Sequence, residues 1–138
     1  MKLNLFLAAD YANITREGKL NVMGIFNNIY SHAFPARHAS MHLVATLGAE
    51  LGEPGQTRDF TVKLLDEDGK GIFDLSGQFQ IPIGEHGRKP EVNMILELKD
   101  IVFPKPGIYQ FVLLVEKDHK GELTLYLNPV EMPKPAGE

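Results

Sequence analysis

Residues 101–117 read Ile-Val-Phe-Pro-Lys-Pro-Gly-Ile-Tyr-Gln-Phe-Val-Leu-Leu-Val-Glu-Lys. Pro104, Pro106 and Gly107 together break a helix and set a turn. Beyond the turn, Tyr109, Phe111, Leu113 and Val115 share one face of an extended chain, and Gln110, Val112, Leu114 and Glu116 share the other. The second face is partly apolar too, so the segment is predicted to be a strand covered on both sides or central in its sheet. Tyr109, just after a Pro-Gly turn at the head of a core strand, fits a tyrosine corner, in which the hydroxyl bonds back to nearby backbone. The functional alternative is a tyrosine in a ligand site.

The flanking segments follow the same two-residue period. Upstream, Val92, Met94, Leu96 and Leu98 mark a strand. Downstream, Asp118-His119-Lys120-Gly121 reads as a tight hairpin into a last strand carrying Leu123, Leu125 and Leu127. The strongest hairpin signal is the Asp68-Gly69 pair within 66–71. It lies between Thr57–Asp66, with Phe60, Val62 and Leu64 in phase, and a strand whose inward set is Phe73, Leu75, Gly77, Phe79, Ile81 and Ile83. The opposite set of that strand, Asp74, Ser76, Gln78 and Gln80, predicts a wet face. Nearer the start, Lys2–Asn13 is a strand with both faces partly buried, and 15–19 is a turn. Leu20–Ser31 is a second strand, with a bulge or bend at Gly24 where the apolar phase slips. A connector at 34–38 leads into Met41–Leu51. Gly52-Glu53-Pro54-Gly55-Gln56 and 84–90 are loops.

That makes eight strands and no helix. The fold class expected is all-β: a single antiparallel β-sandwich of about eight strands over residues 1–128, immunoglobulin-like or C2-like, with 129–138 as a flexible tail.

A chain of 138 residues is one domain and long enough to bury roughly two thirds of its unfolded surface. The absence of cysteine excludes disulfides and thiolate metal sites and fits a cytoplasmic protein. Fourteen basic and eighteen acidic residues give a net charge of −4. The basic residues are scattered, so there is no electrostatic footprint for nucleic acid. The start, Met-Lys-Leu-Asn-Leu-Phe-Leu-Ala-Ala-Asp, has too short an apolar run for a signal peptide and is interrupted by Asn4. No run approaches the length of a membrane span.

Candidate chemistry is sparse. Asp66, Asp68 and Asp118 sit in two turns that would supply calcium ligands only if they lay at one end of the sandwich. Asp and Gly also occur in turns simply as turn formers. His38 and His42, with His32 upstream, would face one way on a strand. Four residues of strand put their ring attachments about 13 Å apart, too far for one zinc ion without a bend. Asp10, paired with Arg16 or Lys19, would be structural. Tyr30 and Tyr126, on the less apolar phases of their strands, could form a sugar or peptide platform. No nucleophile elbow or phosphate loop is present. No catalytic, cofactor-binding or metal residue is therefore assigned, and no cofactor is expected.

Three stretches occur together: Leu7-Ala8-Ala9-Asp10-Tyr11-Ala12, Gly18-Lys19-Leu20-Asn21-Val22-Met23-Gly24-Ile25-Phe26, and Phe103-Pro104-Lys105-Pro106-Gly107-Ile108-Tyr109-Gln110-Phe111. In this set and order the chain resembles a family of small bacterial proteins of unknown function. The resemblance implies a compact β-sandwich and supplies no catalytic residue. The expected role is a non-catalytic module that acts through a protein partner or through self-association at sheet edges. The alternative is a sandwich that binds a sugar, lipid or metal ion.

Overall fold

The computed structural model describes residues 1–131. All regular structure among them is β. The nine strands are β1 (Lys2–Ile14), β2 (Leu20–Phe26), β3 (Asn28–Ser31), β4 (Ala36–Gly48), β5 (Thr57–Leu65), β6 (Gly71–Gln80), β7 (Glu91–Phe103), β8 (Gly107–Val115) and β9 (Asp118–Pro129). They form two sheets, of order β2-β1-β4-β7 and β3-β9-β8-β5-β6. Both sheets feed one core: Leu43, Met94 and Phe103 from the first meet Phe60, Leu64, Phe111, Leu113 and Leu125 from the second. Each such side chain contributes about 1.5–3 kcal/mol by leaving water.

The Pro-Gly strand behaves as its alternation requires. β8 is the third of the five strands of its sheet. Tyr109, Phe111, Leu113 and Val115 are buried while Gln110, Val112 and Leu114 are half-buried. The Tyr109 hydroxyl donates to the Lys105 carbonyl (2.6 Å) and accepts from the Lys105 amide (3.3 Å). Its ring stands edge-on to Phe103 at 5.0 Å. The β5–β6 hairpin closes where Asp68-Gly69 predicts it: the Gly69 amide donates to the Asp66 carbonyl (3.0 Å). The Asp66 carboxylate accepts from the amides of Asp68 (2.9 Å) and Lys70 (2.8 Å). The polar set of β6 is exposed, as expected.

Four expectations are corrected. Leu20–Ser31 is two strands, not one, which raises the count to nine. The chain leaves the first sheet at Asn27, whose carbonyl accepts from the Tyr126 amide (2.7 Å), and β3 runs parallel to β9 in the second sheet. The segment shows no change of composition because it is apolar on both sides of that crossing. Gly24 carries no bulge: the β1–β2 register is constant from Ala8↔Phe26 to Ile14↔Leu20. It is instead left-handed (φ 70°), and a Cβ there would collide with the Asp10 carboxylate opposite. The β8–β9 turn is Glu116-Lys117, two residues before the predicted one. Both residues are left-handed (φ 50° and 69°), the geometry of a two-residue hairpin loop. Gly121 lies inside β9, where the Leu3 side chain fills the place of a Cβ. Finally, the 34–38 connector is shorter than expected, because β4 already pairs with β7 at Ala36↔Phe103. The tail expectation from residue 132 onward lies outside the described residues, while Pro129 is the last residue of β9.

Candidate functional site

β1 shifts register between Leu3 and Leu5. That shift sends Leu3 inward, toward β9, and places Leu5, Leu7, Ala9 and Tyr11 on the outer face of the first sheet. The pairings Tyr11↔Met23 and Ala9↔Ile25 carry this face to the edge strand β2. Leu7↔Val44 and then Val44↔Ile95 carry it across β4 to β7. The result is an apolar outer face with a covered floor: Ala9 and Val44 are fully buried, while Met23 and Ile25 are 64% and 63% exposed and Tyr11 is 47% exposed. His42, 9% exposed, donates from Nδ1 to the Asp10 carbonyl (3.2 Å), and its ring meets Tyr11 edge-on at 5.1 Å. No charged residue occurs in 20–31. At the far margin, on β7, Lys99 and Glu97 form an exposed ion pair at 3.5 Å.

The structure separates the three histidines. A kink at Ala39 and Asp100 (φ 56°) changes the inward phase of β4, from Ala36 on one side to Met41, Leu43 and Ala45 on the other. His38 therefore packs on the inward-facing Phe26 ring (5.6 Å), on the opposite face from His42. His32 donates to the Val130 carbonyl (3.1 Å). The two acidic turns are separated as well. The antiparallel pairing puts Leu65 beside Gln110 and Phe60 beside Val115, so Asp66 and Asp118 lie at opposite ends of β5 and β8. Asp66 spends its carboxylate on its own turn. Among the described residues no three His, Asp or Glu side chains converge as metal ligands. Asp10 is exposed and faces Gly24 rather than Arg16 or Lys19.

A hollow of about 670 Å³ lies over β5 and β6, rimmed by Asp59, Thr61, Ser76, Gln78 and Glu116. Its polar groups are bonded to one another. Gln78 donates to Asp59 (2.7 Å), Thr61 and Ser76 share a bond (3.1 Å), and Glu116 accepts from the Asp59 amide (2.9 Å). Among the described residues, the one displaced titration belongs to Glu53. Burial pushes its carboxyl up, but the Glu50 amide, the terminal ammonium of Met1 and Arg58 outweigh this and hold it below its ordinary 4.5. The Met1 ammonium is 3.0 Å away and the Arg58 guanidinium 3.5 Å. This is a clamp on the loop after β4, away from the apolar face. The apolar face was missed in sequence because its residues come from four strands. The usable signal was the charge-free run 20–31.

Residues 4–128 match the family described as a family of unknown function (DUF6941). The chain belongs to that family. The expectation of a family without an assigned activity therefore holds. No curated protein matches this DUF6941 chain. Among solved structures it is similar to Pseudomonas fluorescens alkylpurine DNA glycosylase AlkC bound to DNA containing an abasic site analog, at 14% identity and a TM-score of 0.48. The match covers 92% of the DUF6941 chain but only 30% of the glycosylase chain. A likeness of that strength carries no argument about activity. No helix among the described residues is long and apolar enough to cross a membrane.

Proposed function

We propose that the chain is a non-catalytic, immunoglobulin-like β-sandwich that acts through protein contacts, and that the outer face of the first sheet joins two copies of it. The observation that carries this reading is the exposure of Met23 and Ile25, nearly two thirds each, beside Tyr11 on a charge-free edge strand. Natural edges are normally guarded by charge, and large exposed apolar clusters mark contact surfaces. A second copy suits this face. A two-fold contact sets residue i of one copy against residue j of the other and j against i, so the same patch must suit itself. Neutral residues meet there without repulsion, and Glu97 and Lys99 of one copy can meet Lys99 and Glu97 of the other. At Gly24 the edge departs from extended strand geometry (φ 70°), so the face rather than a long β2–β2 ladder supplies the contact.

The sandwich assignment is supported by strand order. Read as A-B-E against G-F-C-C′, the order β1-β4-β7 against β9-β8-β5-β6 follows the immunoglobulin pattern. Tyr109 then stands at the E–F corner with its hydroxyl bonded back to Lys105. The cysteine-free composition and net charge of −4 support a cytoplasmic protein that does not bind nucleic acid.

Because the chain has no cysteine, a single introduced thiol tests the contact. A short bifunctional thiol cross-linker should trap dimers of Met23→Cys in high yield and trap few of Asp74→Cys, on the wet outer face of β6. Equal yields from the two variants would sink the reading.

A further inference from the structure

Tyr30 and Tyr126 are 96 positions apart in sequence, and the parallel β3–β9 pairing brings them to one surface. Asn28 lies opposite Tyr126 and Tyr30 opposite Asn128, while Ile29 and Leu127 between them face the core. The four outward side chains make a checkerboard of two phenol rings and two amides at the edge of the second sheet. Ile108, opposite Tyr126 on β8, extends it. Tyr30 is 66% exposed, Ile108 44% and Tyr126 39%. No charged residue occurs in 27–31, 107–110 or 124–129. The amides are held in place. The Asn128 amide nitrogen donates to Asn28 Oδ1 (3.2 Å) and to the carbonyls of Tyr126 (3.3 Å) and Ile29 (3.5 Å). Asn28 in turn donates to Asn27 (2.9 Å).

We infer that this checkerboard is a binding face for a neutral carbohydrate chain. Phenol rings offer apolar faces on which the C–H faces of sugar rings pack. Amides and phenol hydroxyls offer both donors and acceptors to sugar hydroxyls. Side chains already held by the protein need little further ordering on binding. The absence of charge matches a neutral polyol rather than an acidic ligand or a basic peptide. Tying β3 to β9 accounts for the Asn128 amide nitrogen, but it gives no reason for two tyrosines to stand in water beside it. The two rings are diagonal neighbours, about 7–8 Å apart at their attachment points, a spacing that spans more than one sugar ring. The site is on the sheet opposite the apolar face and does not depend on it.

The test is a titration of the full chain, followed by amide ¹H–¹⁵N NMR, with maltohexaose, cellohexaose and chitohexaose. At least one should produce saturable shifts at residues 28–30 and 126–128. Tyr30→Ala and Tyr126→Ala should each weaken that binding by about tenfold, while Met23→Lys on the other sheet leaves it unchanged. The same spectra report whether each variant is folded. No saturable shift with any of the three up to about 10 mM would overturn the inference. So would shifts that survive Tyr126→Ala, or equally tight binding of acidic oligogalacturonate.

Discussion

Replacing Gly24 by Ala separates two costs that the structure superimposes at one position. Gly24 sits at φ 70°, where an L side chain costs about 1–2 kcal/mol. A stiffer unfolded chain returns about 0.4–1 kcal/mol of that. The new Cβ also meets the Asp10 carboxyl group and comes within 3.0 Å of the Asp10 Cβ. The second contact is not the far end of a flexible side chain, so turning the carboxylate away does not relieve it, and β1 or β2 must shift at a cost of about 1–3 kcal/mol. Gly24→Ala should therefore destabilise by about 2–4 kcal/mol in the natural chain. In an Asp10→Gly background the collision is gone, and the same change should cost about 1 kcal/mol. Urea unfolding of the four proteins of this double-mutant cycle, with an unchanged m-value, reads the difference directly. Equal costs in the two backgrounds would refute the collision, and no cost in either would refute the left-handed backbone as well.

Three further outcomes are expected. Tyr109→Phe removes both bonds to Lys105 and keeps the Phe103 contact, so urea midpoints should report a loss of about 1–2 kcal/mol; a loss below about 0.5 kcal/mol would mean that the hydroxyl does not hold the corner. Glu53 is held below its ordinary pKa. Its contribution is therefore fully present above the unfolded carboxylate value and fades as pH falls through the lower folded value. The stability gap between the natural chain and Glu53→Gln should be flat near neutral pH and close on acidification, and a gap independent of pH would contradict the Met1–Glu53–Arg58 clamp. Gly77→Leu should fail to fold or lose several kcal/mol, because even a Cβ there lies 2.8 Å from the Phe60 ring; calorimetry checks it, and an unchanged melting temperature would count against the packing.

Much of the fold was legible because strand alternation is a local signal. The inward set of β8, the Asp68-Gly69 hairpin and the wet face of β6 all follow from side chains within ten residues of one another. What was not legible depends on pairing. Nothing local in 20–31 tells β2 from β3, since the Asn27 crossing is fixed by the Tyr126 amide almost a hundred residues away. Gly121 read as a turn glycine, yet its role is to make room for Leu3, at the other end of the chain. The histidines looked co-facial on an ideal strand and were separated by a kink that Asp100 completes from β7. The apolar face and the tyrosine–asparagine checkerboard were each spread over separate strands, so their residues were visible singly and their surfaces were not.

The most direct test of the central claim is sedimentation velocity on the natural chain and on a Met23→Lys/Ile25→Lys variant across a wide concentration range. Burying the exposed parts of these two side chains is worth about 1–2 kcal/mol each, and the variant would bring added cations from both copies into one contact. The natural chain should sediment as a dimer that dissociates on dilution, and the variant should be a folded monomer at concentrations at least a hundredfold higher, by about 1.4 kcal/mol per tenfold. A natural chain that is monomeric at every concentration, or a variant that dimerises as tightly, would contradict the account.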